Sequence, residues 1–363
     1  MRGKTRSQTS MLALVSLDSL VPPRHPLRRV KPMVDGILKD LSPVFDSMYA
    51  EDGRPSVPPE RLLKSTVLMA LYSVRSERMF CEQLGYNMLF RWFLDMEMSE
   101  KVFAPTVFTK NRQRLMNHEG AELFLSATVE VGSKRGLLSS EHFSVDGTLI
   151  ESWASMKSFR PKDDDDSDNN GFGDFKGTRR KNDTHESKTD PDAKLYKKGK
   201  GKEAKLSYMA HALMENRHGL LVDFELTEAN GFAEREAAIE MLKRQRKRKR
   251  RRRGRKPRRI TLGADAGYDA KNFVRQCREL RVTPHLAQKK HSAIDGRTTG
   301  RSGYAVSVRA RRLIEKIFGW MKTTGAFRRT RFRGRPKTAF AAKLVAASYN
   351  LLRLSRLPGP VTV

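Results

Sequence analysis

The sequence predicts an α/β fold: a mixed sheet flanked by helices, preceded by an all-α N-terminal domain. Three observations carry this. Residues 35–138 hold apolar side chains at helical spacing, residue 139 opens a β-prone alternating pattern, and after three strand-like segments helices and strands alternate. That order makes one mixed sheet with helices on its faces.

In chain order, residues 1–34 are polar, basic and Pro-containing, and read as a flexible arm. In "SVPPERLLKSTVLMALYSV", Ser56 is an N-cap candidate and prolines stand at the start. Leu62, Leu63, Val67, Leu68 and Leu71 then share one helix face. "RMFCEQLGYNMLFRWFLDM" gives one or two helices around Gly85, and "TVFTKNRQRLMNHEGAELFLSATVEVGSKRGL" one long helix or two. "HFSVDGTLIE" is the first strand of a second domain, residues 139–355. Residues 160–204 are charged and Gly-rich with few apolar anchors, and should be mostly loop. "KLSYMAHALM" and "LLVDFELT" are strands joined by the turn "ENRHG". "AEREAAIEMLKRQRKRKR" is a helix that continues as a basic run to Arg259. "RRITLGAD" and "VTPHLA" are strands separated by the helix "DAKNFVRQCREL". After a loop over 288–308, "VRARRLIEKIFGWMK" and "KTAFAAKLVAASYNLLRL" are helices, and 356–363 is a tail.

The chain has 363 residues, with 72 Lys+Arg against 41 Asp+Glu and a net charge of +31. Such an excess implies a polyanionic partner, either nucleic acid or an acidic membrane surface. No apolar run approaches the roughly 20 residues of a membrane span. Asp18 interrupts the short N-terminal apolar patch, so no secretion signal is expected. Cys81 and Cys277 have no metal-ligand spacing and read as free thiols of a reducing cytoplasm. The 8 histidines form no zinc-type cluster.

Three carboxylates stand out by position. Asp146 is mid-strand, although aspartate is disfavoured in strands and burying an unpaired carboxylate is costly. Asp265 ends the apolar strand "ITLGAD", and Glu315 lies in the helix after the last strand. At about 100° per residue, Arg311 falls about 40° from Glu315 and Lys322 about 20°, while Ile314, Ile317, Trp320 and Met321 lie on the other side. An ordinary surface ion pair would explain Glu315 alone, and a cap of the Asp-Gly turn would explain Asp146 alone. Carboxylates at a strand centre and a strand end are harder to explain by packing. They cost little if they ligate Mg²⁺, a hard cation that takes few protein oxygens plus substrate phosphates. Two such ions roughly 4 Å apart support phosphodiester cleavage. A protein of charge +31 on DNA brings the phosphates.

"SVDGTLIESWASMKSF", "LGADAGYDAKNF" and "GYAVSVRARRLIEKIFGWMKTTGAFRRTRFRG" resemble the three catalytic blocks of DDE transposases from bacterial insertion sequences. The likeness covers about residues 40–355 and is nearest to the group with a Tyr-Arg-Glu-Lys signature. Arg311, Glu315 and Lys322 stand at the signature spacings, whereas Val308 replaces the tyrosine, whose role is unfilled or passes to a neighbour such as Tyr304. The resemblance implies an RNase H-like catalytic core. It implies that Asp146, Asp265 and Glu315 hold two Mg²⁺ ions, with Mn²⁺ as a substitute. Hydrolysis at each transposon end would free a 3′-hydroxyl that attacks target DNA. Arg311 and Lys322 would hold end phosphates, Arg as a fork and Lys as a point charge. Double-stranded DNA is the implied partner, both transposon ends and target. A homodimer in the synaptic complex, a cytoplasmic location and no membrane are expected. The alternatives are an RNase H-like nuclease without strand transfer and a catalytically dead DNA-binding protein.

Other features fill in the reading. Asp269, past the strand-end turn, is a weaker carboxylate candidate for which capping suffices. Further DNA-binding candidates are Arg328, Arg329, Arg331, Lys110, Arg112, Arg250 and Arg251. The last two belong to Lys243–Arg259, which holds 14 basic residues among 17 and is expected to be exposed, whether as a phosphate track or as a solvated extension. "SERMFCEQLGYNMLFRWFL" and "TVFTKNRQRL" suggest a helix-turn-helix reading terminal inverted repeats, or a bundle that only supports the core. Trp320 and Trp153 are expected to pack, and Asp163–Asp166 to be a solvated loop.

Overall fold

A computed structural model describes residues 16–49, 56–162, 180–197, 199, 201, 203–253 and 258–358, the side chains of 249–253 excepted. Seven helices come first: α1 (Leu17–Leu20), α2 (Leu27–Asp46), α3 (Pro59–Leu71), α4 (Glu77–Tyr86), α5 (Met88–Phe93), α6 (Thr106–Asn117) and α7 (Gly120–Lys134). The expected arm over 1–34 is shorter than anticipated, because Leu27, Val30 and Val34 form a buried stripe that starts α2 at Leu27. Ser56 does not cap α3, which begins at Pro59 with Pro58 in the cap position. Two helices flank Gly85. Ser76 Oγ caps α4 by accepting from Met79 N at 3.0 Å, and Asn87 Oδ1 caps α5 by accepting from Phe90 N at 3.1 Å.

The second part contains β1 (His142–Glu151), β2 (Phe159–Pro161), β3 (His185–Ser187), β4 (Lys194–Tyr196), β5 (Lys205–Glu215) and β6 (Leu221–Glu228). There follow α8 (Ala233–Arg253), β7 (Ile260–Ala264), α9 (Lys271–Glu279), β8 (Val282–Leu286), α10 (Gly296–Thr299), α11 (Ser302–Ala310), α12 (Ile314–Lys322) and α13 (Arg335–Arg356). β8, β7, β1 and β5 are neighbours in that order, and β4 and β6 both pair with β5. β1 runs parallel to β7, which runs parallel to β8, whereas the β1–β5 and β5–β6 pairings are antiparallel. This is the mixed sheet that the sequence predicts.

The sheet is buried on both faces. Phe143 and Val145 of β1 join Leu213, Leu242, Leu262 and Cys277 in a core under α8 and α9. On the opposite face, Ile150, Ala210, Ala212 and Met214 belong to a core that continues through α13 into the N-terminal helices. Ala342, Ala346 and Ala347 are fully buried, so α13 lies close against α2, α3 and α7 and joins the two parts. Alternation along β1 therefore sends Ser144, Asp146 and Thr148 to the face of α11–α13 and Gly147 to the face of α8.

Two charged segments are more ordered than their composition suggests. Asp190, 1% exposed, accepts from Ser152 Oγ (2.7 Å), Tyr208 Oη (2.6 Å) and Gly334 N (3.0 Å). Asp192 accepts from Arg335 N at 2.8 Å. These carboxylates hold the N-terminus of α13, where the helix dipole favours negative charge. The expected solvated run Asp163–Asp166 lies outside the described residues. The basic run is not simply exposed. Arg246 is 8% exposed and donates to the carbonyls of Leu280, Arg258 and Arg281. Arg244 pairs with Asp223 and Glu225, and Arg248 donates to Val222 O. Stranded carbonyls and carboxylates beside α8 thus draw in the first arginines of the run. Arg250 and Arg251 continue the helix, but their side chains lie outside the described residues.

Candidate active site

The site begins where β1 and β7 part. Their parallel pairing covers His142↔Thr261, Phe143↔Leu262 and Ser144↔Gly263. Continued two residues, that register sets Asp265 beside Asp146, on the face that carries Ser144. Gly263 keeps this face open. A Cβ there would lie 3.0 Å from Ser144 Oγ and 3.1 Å from the Ser307 carbonyl oxygen, tight contacts that a side chain would relieve only by pushing α11 or Ser144 back.

The chain after α11 forms a 3₁₀ turn, Arg311–Leu313, and then α12. The turn brings Arg311 Nη1 to 3.6 Å from Asp146 Oδ2, with both side chains less than a fifth exposed. Asp146 Oδ1 also accepts from Gly147 N at 2.8 Å. Asp265 Oδ1 accepts from Gly267 N at 2.8 Å and caps the 3₁₀ turn Ala266–Tyr268. Glu315 is in the first turn of α12 and exposed, while Ile314, Ile317, Phe318 and Met321 bury the other side. At the far end of α12, Lys322 Nζ donates to Thr148 Oγ1 at 2.6 Å, two residues beyond Asp146 on the same face. One segment therefore carries Arg311 and Lys322 onto β1, with Glu315 between them.

As placed, no group of three His, Cys, Asp or Glu among the described residues could hold a metal ion. The residues nonetheless suit a hard cation. They offer carboxylate oxygens, the donor type that such an ion takes; the buried Arg311 Nε, which lacks a hydrogen-bond partner, is a donor suited to a phosphate oxygen. A fourth carboxylate, passed over in the sequence, also approaches. Glu234 of α8 sits over Gly147, where a Cβ would be 2.8 Å from Glu234 Oε1. The signal was the glycine after Asp146, which reads as a turn residue and in fact clears space for this side chain.

The remaining candidates divide. Arg328 and Lys110 are exposed. Arg329 donates to the carbonyls of Ser152 (2.9 Å) and Trp153 (2.8 Å), and its guanidinium lies 5.2 Å over the Trp153 ring. Trp153 is 52% exposed, so the expected core packing fails: its partner is a surface arginine. Arg112 and Arg331 both bond Glu77 and both lie over Phe332, tying α4 and α6 to the chain after α12. Their charge is already engaged within the protein. With Trp153, Arg328 and Arg329 they border a cavity of about 650 Å³. Trp320 packs against Tyr349, as expected, with ring centroids 5.7 Å apart.

Asp269 is buried and accepts from Lys289 N and Ala293 N, so it orders the chain after β8 rather than capping α9. The Tyr304 hydroxyl, a neighbour of Val308 in sequence, donates to Leu286 O at 2.6 Å, at the end of β8. Burial pushes the thiols of Cys81 and Cys277 up, to about 11 and about 12 respectively, leaving both unreactive. No helix among the described residues is long and apolar enough to cross a membrane.

Comparison with known proteins adds the following. A transposase domain profile (DUF772) matches residues 15–114, and a transposase DDE domain profile matches residues 174–351. Asp265 and Glu315 fall inside the second match, and Asp146 lies between the two. No curated protein sequence matches the chain. A piggyBac transposase synaptic complex with hairpin DNA is 10% identical with a TM-score of 0.40, covering 91% of this chain and 75% of that one. A pre-cleavage Mos1 transpososome is 13% identical with a TM-score of 0.22, covering 85% and 83%.

Proposed function

Since the chain belongs to the DDE transposases, which cleave DNA strands and transfer them with the help of divalent metal ions, we propose that Asp146, Asp265 and Glu315 hold two Mg²⁺ ions at the β1–β7 fork. What supports this assignment is the parallel β1–β7 register, which continued by two residues sets Asp265 beside Asp146, with Arg311 and Lys322 reaching β1 from the segment that bears Glu315.

Bound there, divalent cations would supply Lewis acidity toward the scissile phosphodiester and toward water or a 3′-hydroxyl. The protein's own groups do the rest. Arg311 neutralises Asp146 in the DNA-free protein. A phosphate of the transposon end offers it a better, bidentate partner, which frees Asp146 for metal. Lys322, held at the fork by Thr148, contributes a point charge to a neighbouring phosphate. Arg328 and Lys110 add exposed positive charge, and the end of the basic run, including Arg250 and Arg251, extends it. The N-terminal helices read the terminal inverted repeats. Two copies of the chain bring two ends together. This is the strand-transfer reading rather than nuclease action alone.

The test is incubation of the protein with paired transposon ends, a target plasmid and Mg²⁺. Joined products are expected. Asp146→Asn, Asp265→Asn and Glu315→Gln should each abolish cleavage while end binding, read by gel shift, stays nearly unchanged. Normal cleavage by any one of them removes that residue from the site.

A further inference from the structure

We infer that the outer face of α11, with the loop that leads into it, is the surface that receives target DNA. The inference rests on the strand-transfer reading above and gives the second duplex of that reaction a place on residues not yet assigned.

β8 is the sheet edge beside β7, and α11 packs on β7 and β8. The loop before α11 is fixed at several points. Buried Asp269 accepts from Lys289 N at 3.1 Å and Ala293 N at 2.8 Å, and Ile294 joins the core under α9. The Tyr304 hydroxyl ties α11 to the end of β8. What this frame presents outward is positive. Lys290, Arg297, Arg301, Arg309 and Arg312 are all exposed, and among the described residues none of them pairs with a carboxylate. Asp295 is the one acidic residue between Gln288 and Arg312. Arg112, Arg244 and Arg331 differ, because the protein itself neutralises their charge. Exposed cations clustered without counter-charge repel one another, and a polyanion relieves that repulsion.

The spacing suits a duplex. Arg301 stands at the N-cap of α11 and Arg309 in its last turn. Eight residues at about 1.5 Å each set them about 12 Å apart, the width of a B-DNA major groove. The exposed positions between them, Ser302, Gly303, Ala305 and Val306, are small and uncharged, so the phosphates on either side of a groove can reach both arginines. Arg312 follows, beside Arg311, whose guanidinium lies 3.6 Å from Asp146 Oδ2. The face therefore ends at the β1–β7 fork.

Position decides which duplex it takes. The N-terminal helices meet the sheet through α13 and β6, beyond β5, and meet the chain after α12 through Glu77. α11 lies on the other side of the fork, over β7 and β8. Strand transfer brings two duplexes to one phosphoryl centre. With the transposon end on the side of the N-terminal helices, the α11 face is left for the target.

The experiment uses the full chain saturated with precut transposon-end duplex, into which labelled duplex without the end sequence is titrated. The double variant Arg301→Ala with Arg309→Ala should lower the slope of log affinity against log salt by about two and reduce joining to a target plasmid in Mg²⁺ by about tenfold or more, while gel-shift binding and cleavage of uncut ends stay within about twofold. Arg301→Lys with Arg309→Lys keeps the charge and should retain most target binding, which separates a phosphate contact from a role in folding. If the alanine variant loses end binding, the face holds the transposon end and the inference falls. If its target binding and joining are both unchanged, α11 holds no DNA, and the inference falls while the strand-transfer reading stands. If the unaltered chain cuts ends but never joins them, the strand-transfer reading falls and takes the inference with it.

Discussion

Replacing Glu215 by Gln removes a single charge from the interior and changes almost no volume. Glu215 is 0% exposed, at the end of β5. Its Oε1 accepts from His218 N (2.7 Å) and Leu220 N (3.0 Å), and its Oε2 from Ser139 N (3.0 Å) and Arg217 N (2.9 Å). Four backbone donors thus converge on one carboxylate. A glutamine keeps one oxygen and two of these bonds, but turns an amide –NH₂ toward the other two donors. Hydrogen bonds to a charged acceptor are worth about 1.5–3 kcal/mol each, so losing two removes about 3–6 kcal/mol. The β5–β6 turn can relax, which places the expected cost near the lower end, about 3 kcal/mol, a large share of the roughly 5–15 kcal/mol that stabilises a typical domain. Urea unfolding followed by circular dichroism should show the midpoint falling with little change in slope. A loss below about 1 kcal/mol would refute the reasoning, because it would mean that the four bonds add little beyond what an amide supplies. The site depends on this anchor. Ser139 leads into β1 and Glu215 pairs with Phe143, so the carboxylate fixes the register that presents Asp146.

Burial lowers the basicity of His211 to about 3, so it stays neutral in the fold while the unfolded chain takes up a proton below about 6.5. The unfolded state then binds more protons, and stability contributed by this group is present above about pH 6.5 and lost as pH falls toward 3, at up to about 1.4 kcal/mol per pH unit. His211→Gln should flatten the fall in melting temperature between pH 6.5 and 5, and an unchanged profile would remove His211 as its cause. Two neighbours in the basic run should separate cleanly. Arg246→Ala, which strands three carbonyls, should lower the melting temperature, whereas Lys247→Ala, at an exposed position, should leave it unchanged and reduce the salt slope of DNA binding by about one. Equal effects on both assays would show that the run is a uniform phosphate track.

Much of the candidate site can be named from the sequence. Asp146 and Asp265 declare themselves because strand alternation makes a carboxylate conspicuous. Arg311, Glu315 and Lys322 declare themselves by helical spacing, although the chain is 3₁₀ at Arg311–Leu313 and only becomes α-helical at Ile314. What was not legible depends on tertiary partners. Glu234 looks like any polar residue in a first helical turn until Gly147 is seen beneath it. Arg244, Arg246 and Arg248 look solvated until the carbonyls and carboxylates beside α8 are placed. Asp190 sits in a segment whose composition reads as loop, and only the fold brings Ser152, Tyr208 and Gly334 to it. Trp153 was expected to pack, but Arg329, distant in sequence, supplies a surface partner.

The most direct measurement of the central claim is a metal-swap cleavage assay on Asp146→Cys and Asp265→Cys. A thiolate is a poor ligand for hard Mg²⁺ and a more tolerable one for a transition-metal ion such as Mn²⁺. If these carboxylates ligate catalytic metal, both variants lose transposon-end cleavage in Mg²⁺ and regain part of it in Mn²⁺. Unimpaired cleavage in Mg²⁺, or no recovery in Mn²⁺ by variants that still bind transposon ends, would contradict the assignment.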